Sequence, residues 1–141
     1  MKNAQLQKSI ITDLTKKSPV RWHVGIYEGR AVLTDGYRLH LVSEKDLYIN
    51  PERMVEANEA SMEAILNEHR ESDLKELTYI SSNREDNYDL FDGDGFEVAV
   101  NPKYLKYFEG YELKGSGELK PIYVYELGEL VGLVMPTSRK R

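Results

Sequence analysis

Thr34-Asp35-Gly36-Tyr37-Arg38-Leu39-His40-Leu41 is the stretch whose reading decides the fold. Asp-Gly flanked by alternating apolar residues is a strong short-range hairpin signal, because glycine supplies the backbone reversal that the flanking strands need. Residues 30–33 read as extended, 34–36 as the turn and 37–42 as extended again. Just upstream, Val20, Trp22, Val24 and Ile26 alternate with Arg21, His23 and Gly25, the period of a half-buried strand. Glu28-Gly29 turns between the two, so residues 20–43 predict a three-stranded meander.

Working outward, Leu6, Ile10 and Leu14 recur every fourth residue with Ile11 beside them, and predict a helix over 5–17. Ser18-Pro19 should end it, since the residue before proline is pushed out of the helical region. Asn50-Pro51 is a cap-plus-proline start signal for a second helical region reaching residue 70, either continuous or broken near Asn58. Residues 77–81 and 88–91 read as strands. Asp92-Gly93-Asp94-Gly95 reads as a turn, and Phe96, Val98 and Val100 as a further strand. Asn101-Pro102 repeats the start signal for a short helix over 103–109 that Gly110 ends. Residues 119–126 and 130–135 complete the chain as a strand pair joined through Gly128. A helix-plus-sheet unit used twice predicts a single α+β domain over 1–141 with internal pseudo-symmetry.

Bulk properties narrow the function. No apolar run approaches the roughly 18 residues of a membrane span, and no signal peptide is visible, so a soluble cytoplasmic protein is expected. Cysteine is absent, which excludes disulfides, thiolate zinc sites and a cysteine nucleophile. The net charge of −5 is unevenly spread. Residues 1–21 hold five bases against Asp13, whereas residues 44–97 hold five bases against sixteen acids. Overall acidity argues against a dedicated nucleic-acid binder, but the asymmetry allows a local basic face; a solvated acidic surface explains the rest equally well.

Signals for chemistry are poor. His23, His40 and His69 lack ligand spacing, and Leu66-Asn67-Glu68-His69 shares only fragments of a zinc-helix motif. Asp89, Asp92 and Asp94 before Gly95 depart from the calcium-loop order and are better explained by a hairpin turn. Gly115-Ser116-Gly117 has no phosphate-loop lysine and reads as a connector. The expectation is a non-enzymatic protein without cofactor or metal.

Four stretches, taken in order, resemble the bacterial sliding clamp, the beta subunit of DNA polymerase III. Leu6 to Leu14 followed by Val20-Arg21-Trp22 is similar to the family's first helix and strand, and Leu33-Thr34-Asp35-Gly36-Tyr37-Arg38-Leu39 to its most recognisable hairpin. Val100-Asn101-Pro102-Lys103-Tyr104-Leu105 resembles its second helix start. Leu119-Lys120-Pro121-Ile122 and residues 131–136 resemble its closing strand pair. The likeness covers about two thirds of the chain and is poor over 44–97. It implies a DNA-clamp-like domain, two helices packed on two small antiparallel sheets with an internal pseudo-twofold, acting in DNA replication or repair. Three features depart from the family. The chain has the length of one domain rather than three, which suggests a phage or mobile-element version. The ending Met135-Pro136-Thr137-Ser138-Arg139 lacks an apolar contact of the family's M-P-M-R-L, and the hairpin and the M-P ending belong to different domains there.

For sites, the resemblance implies a partner-peptide pocket with Thr34, Gly36, Tyr37, Arg38 and Leu39 as one wall and Val134, Met135 and Pro136 as the other. Its occupants would be clamp-binding peptides of polymerase or repair proteins. Non-specific contacts to the phosphates of double-stranded DNA would fall to Lys2, Lys8, Lys16, Lys17, Lys103 and Lys106, because charge without base readout permits sliding. Head-to-tail copies could bring the two walls together in a homo-oligomer. The plainer reading keeps Leu33 and Leu39 in the core, Asp35-Gly36 as a turn and the lysines as a solvated surface. A clamp mimic or adaptor that binds clamp partners or subunits without encircling DNA is the alternative.

Overall fold

The first unit is built outward from the meander read in residues 20–43. A computed structural model describes residues 3–17, 20–139, and the chain divides into two compact units, Met1–Asn67 and Glu68–Arg141. In the first, β1 (His23–Tyr27), β2 (Arg30–Thr34) and β3 (Arg38–Ser43) pair antiparallel in sequence order. Glu28 and Gly29 both have positive φ, 49° and 76°, as a two-residue hairpin turn between right-twisted strands requires. A two-residue β4 (Val55–Glu56) adds to the other edge of β1 in parallel. Of the face expected to be buried, Trp22 is buried, but Val20 and Ile26 are exposed, and Tyr27 is buried in addition.

α1 (Asn3–Thr15) buries Leu6, Gln7 and Ile10. The predicted Ser18-Pro19 stop lies outside the described residues. Gln7 ties the 46–49 loop to α1. Its Nε2 donates to the Asp46 carbonyl at 2.8 Å, and its Oε1 accepts from the Tyr48 and Ile49 amides. The helical region expected from Asn50, continuous or broken near Asn58, opens with only a 3-10 turn, Pro51–Arg53, capped by Asn50 through Glu52 N–H. After β4 comes α2 (Glu59–Glu71), where Asn58 Oδ1 accepts from Ser61 N–H. The break near Asn58 is therefore a cap.

The second unit contains β5 (Lys75–Glu76), β6 (Thr78–Asn83), β7 (Tyr88–Asp92), β8 (Glu97–Val100), β9 (Glu112–Gly115), β10 (Ile122–Glu126) and β11 (Glu129–Val134). β6, β7 and β8 form one antiparallel sheet, and β11, β10, β9 and β5 follow one another in a second set of antiparallel pairs. Neither β4, β5 nor β9 was legible in the sequence. The helix expected at 103–109 is a 3-10 helix, Pro102–Phe108, with Asn101 Oδ1 accepting from Lys103 N–H. Its core is apolar: Phe91, Val98, Val100, Phe108, Ile122, Val124, Val131 and Val134. The mixed α+β class stands, and among the described residues no helix is long and apolar enough to cross a membrane.

Candidate functional site

The 34–39 hairpin is held by its own side chains. Asp35 Oδ1 accepts from the backbone N–H of Tyr37 and of Arg38, each at 3.0 Å. Thr34 Oγ1 donates to the Arg38 carbonyl at 2.7 Å and accepts from Gly36 N–H. Gly36 sits at φ 94°, where a side chain would be strained. Threonine, aspartate and glycine at these positions thus each answer a backbone need, as short polar side chains do in turns.

Arg38 carries this hairpin into the interior. Its Nε lies 3.3 Å from Asp35 Oδ2, and both side chains are only 5% exposed. The guanidinium stacks 5.0 Å above the Trp22 ring, a cation–π contact strengthened by exclusion of water. Trp22 Nε1 in turn donates to Asp13 Oδ2, while Lys16 Nζ reaches Asp13 Oδ1, each at 3.1 Å. Burial would raise the Asp13 pKa, but the Trp22 and Lys16 hydrogen bonds and the Lys16 and Arg38 charges outweigh it and hold the carboxyl below its usual range. His40, two residues on along β3, is pushed down to about 3 by burial and by the Arg38 charge, so it is neutral at pH 7.

Of the pocket residues read from the sequence, Gly36 and Tyr37 are exposed and Thr34 is half-buried, while Arg38 and Leu39 are interior. Val134 is fully buried in the core of the second unit, and Met135 and Pro136 are half-buried beyond the end of β11. Thr137 N–H donates to the Ala99 carbonyl at 2.8 Å, and Arg139 lies 3.3 Å from Glu97 and 3.7 Å from Glu118. The two walls belong to different units, the hairpin to the first and the tail to the second.

Lys8, Lys16 and Lys17 are exposed on and just beyond α1, and Lys2 lies outside the described residues. Lys103 and Lys106 are exposed three residues apart, positions that eclipse on a 3-10 helix, each beside a tyrosine ring. The acidic stretch presents Glu59, Glu63 and Glu71 of α2 to solvent.

The histidines and aspartates are dispersed. His23 is on β1, His40 in the first core, and His69 beside Tyr123 and Tyr125, at ring distances of 5.7 and 6.4 Å. Asp89 accepts from Ser82 Oγ, and Asp92 Oδ1 accepts from Asp94 N–H. Among the described residues no three His, Asp or Glu side chains converge as a metal site would require.

Sequence reading missed a cavity of about 580 Å³ beside β1. Val24, Gly25, Ile26, Ala31, Leu47, Pro51, Ala57 and Met62 line it, with Glu44, Glu56 and Glu59 among them. No sequence signal marked it: Ile26, in step with the face expected to be buried, proves 61% exposed only in the folded chain. Comparison with protein-family models, with curated proteins and with solved structures finds no match to this chain.

Proposed function

We propose that this α+β chain is a clamp-type domain, and that it serves DNA replication or repair in the cytoplasm without catalysing a reaction. The observation that carries the reading is the 34–39 hairpin, in which the Thr34, Asp35 and Arg38 side chains and the Gly36 backbone act together as one unit. Gly36 and Tyr37, exposed at its tip, would meet a partner's peptide. Arg38 and Leu39 would support that tip from beneath. Exposed Lys8, Lys16, Lys17, Lys103 and Lys106 would meet phosphates loosely.

A second reading has its own support. The glutamates that α2 presents to solvent would repel DNA and suit a clamp mimic or adaptor, which binds clamp partners or subunits without encircling DNA. Mass in solution by light scattering, followed by retention on circular DNA, separates the two. A discrete closed oligomer that stays on circular DNA and slides off linear DNA supports the clamp. A monomer at every concentration removes encirclement and leaves the adaptor.

A further inference from the structure

The cavity beside β1 is independent of the hairpin and of the clamp reading. Its wall is a sheet edge that is only partly used. β4 pairs with β1 at His23 and Val24 alone, through Val55 N–H to the Trp22 carbonyl and Ala57 N–H to the Val24 carbonyl. Strand backbone alternates, so the N–H and C=O of Ile26 are directed to the same edge as the Val24 carbonyl, past the point where β4 stops. Asn58 then turns the chain away into α2.

The side chains around that edge have a consistent chemistry. Ile26, Ala57 and Met62 give an apolar surface, and Met62 packs so closely over Gly25 that a Cβ there would lie 2.7 Å from its sulfur. Methionine is the side chain best able to remodel around an incoming group. The charged lining residues are Glu44, Glu56 and Glu59, all acidic and all exposed. The neighbouring bases Lys45 and Arg53 do not line the cavity. A volume of about 580 Å³ is ample for the side chains of a short strand.

We propose that this groove binds an extended peptide of a partner protein in which apolar and basic residues alternate, added as a strand beside residues 25–27. Main-chain bonding to the β1 edge would hold the peptide, its apolar side chains would enter the cavity, and its basic ones would meet the three glutamates. This is strand addition with charge complementarity setting the choice of peptide.

The test is fluorescence anisotropy on the full chain with a labelled hexapeptide of alternating Lys and Val. A Glu/Val peptide and a Lys/Val peptide N-methylated at alternate residues serve as controls. Binding of the Lys/Val peptide, at least about tenfold weaker for both controls and weakening as salt rises, is the expected result. The exposed double substitution Glu44→Gln/Glu56→Gln should weaken it about fivefold, and Ala57→Trp should block it by filling the cavity. The proposal is overturned if the Lys/Val peptide does not bind, or binds no better than the Glu/Val one. It is also overturned if the Gln variant, which leaves the interior untouched, binds unchanged. A concentration-dependent dimer that Ala57→Trp dissolves, without peptide binding, would assign the groove to a second copy and overturn it equally.

Discussion

Gln7, Arg38 and His40 are the polar residues buried among those described, and all three belong to the first unit. The second unit's core cluster is Phe91, Val98, Val100, Phe108, Ile122, Val124, Val131 and Val134, and among its described residues no charged or amide side chain is buried, Tyr107 and Tyr123 being its buried hydroxyl-bearing residues. The two units thus use opposite strategies within one chain. An apolar core asks mainly for volume and tolerates exchange of similar shapes. A polar interior asks for geometry, because each buried group left without its partner costs a desolvation penalty of about 1–3 kcal/mol, and more if charged. The first unit is therefore the one whose conformation is specified by individual residues, and it carries the hairpin on which the functional reading rests.

The largest effect should come from breaking the buried ion pair. Arg38→Met leaves Asp35 in a nearly dry site without its countercharge, and removes the cation over Trp22. A loss of about 3–5 kcal/mol is expected. The single tryptophan makes this measurable in the first unit alone, through its fluorescence during urea unfolding. If Arg38→Met unfolds no more easily than the parent, the polar interior is not what holds that unit.

Acid should separate the units next. Burial and the Arg38 charge push the folded pKa of His40 down to about 3, below the ordinary imidazole value of about 6.5. Between those values the unfolded chain binds a proton that the folded chain does not, so stability falls as pH falls from about 6.5 and is complete above it. The limiting slope is about 1.4 kcal/mol per pH unit, so moving from pH 7 to pH 5 should cost the first unit roughly 2 kcal/mol. His40→Gln should flatten that dependence. Asp13, whose pKa is lowered, works in the same direction but at lower pH, as its carboxylate is protonated. Urea midpoints read by Trp22 at the two pH values decide the matter, and an unchanged slope in His40→Gln would refute it.

In the apolar unit, Ile122→Val should cost about 1 kcal/mol, a transfer-plus-cavity loss with no pH dependence between 5 and 7. Far-ultraviolet circular dichroism during urea unfolding should show it while leaving the Trp22 transition in place. A pH-dependent loss would mean that a titrating group is coupled to the second core. Smallest are the caps. Asn50→Ala and Asn101→Ala each remove one side-chain acceptor from the first turn of a 3-10 segment and should cost about 1 kcal/mol or less, similar in the two units. Thermal melts of the two variants compare them directly, and a large difference would show that one Asn-Pro turn does more than close its own backbone.

Elements with a local cause were legible. The Glu28-Gly29 and Asp35-Gly36 turns, the meander, the α1 stripe and both Asn-Pro starts follow from glycine freedom, side-chain caps and periodicity, all of which act within a few residues. Both Asn-Pro segments nevertheless came out as 3-10 turns, because a cap and a proline fix where a helix begins but not how many residues continue it. Strands β4, β5 and β9 were missed since each is short and polar enough that its pairing partner, not its own pattern, makes it a strand. The fate of the candidate site divides along the same line. The sequence determined that Thr34, Asp35, Gly36 and Arg38 would make a hairpin. Only the tertiary structure decided that Arg38 turns inward to Asp35 and Trp22, that His40 is buried neutral, and that Ile26 faces an acidic-rimmed cavity. Hairpin formation is a matter of neighbouring dihedrals and hydrogen bonds. Burial and charge environment are set by residues such as Asp13, Trp22 and Met62, brought near by the folded chain from positions no local pattern connects.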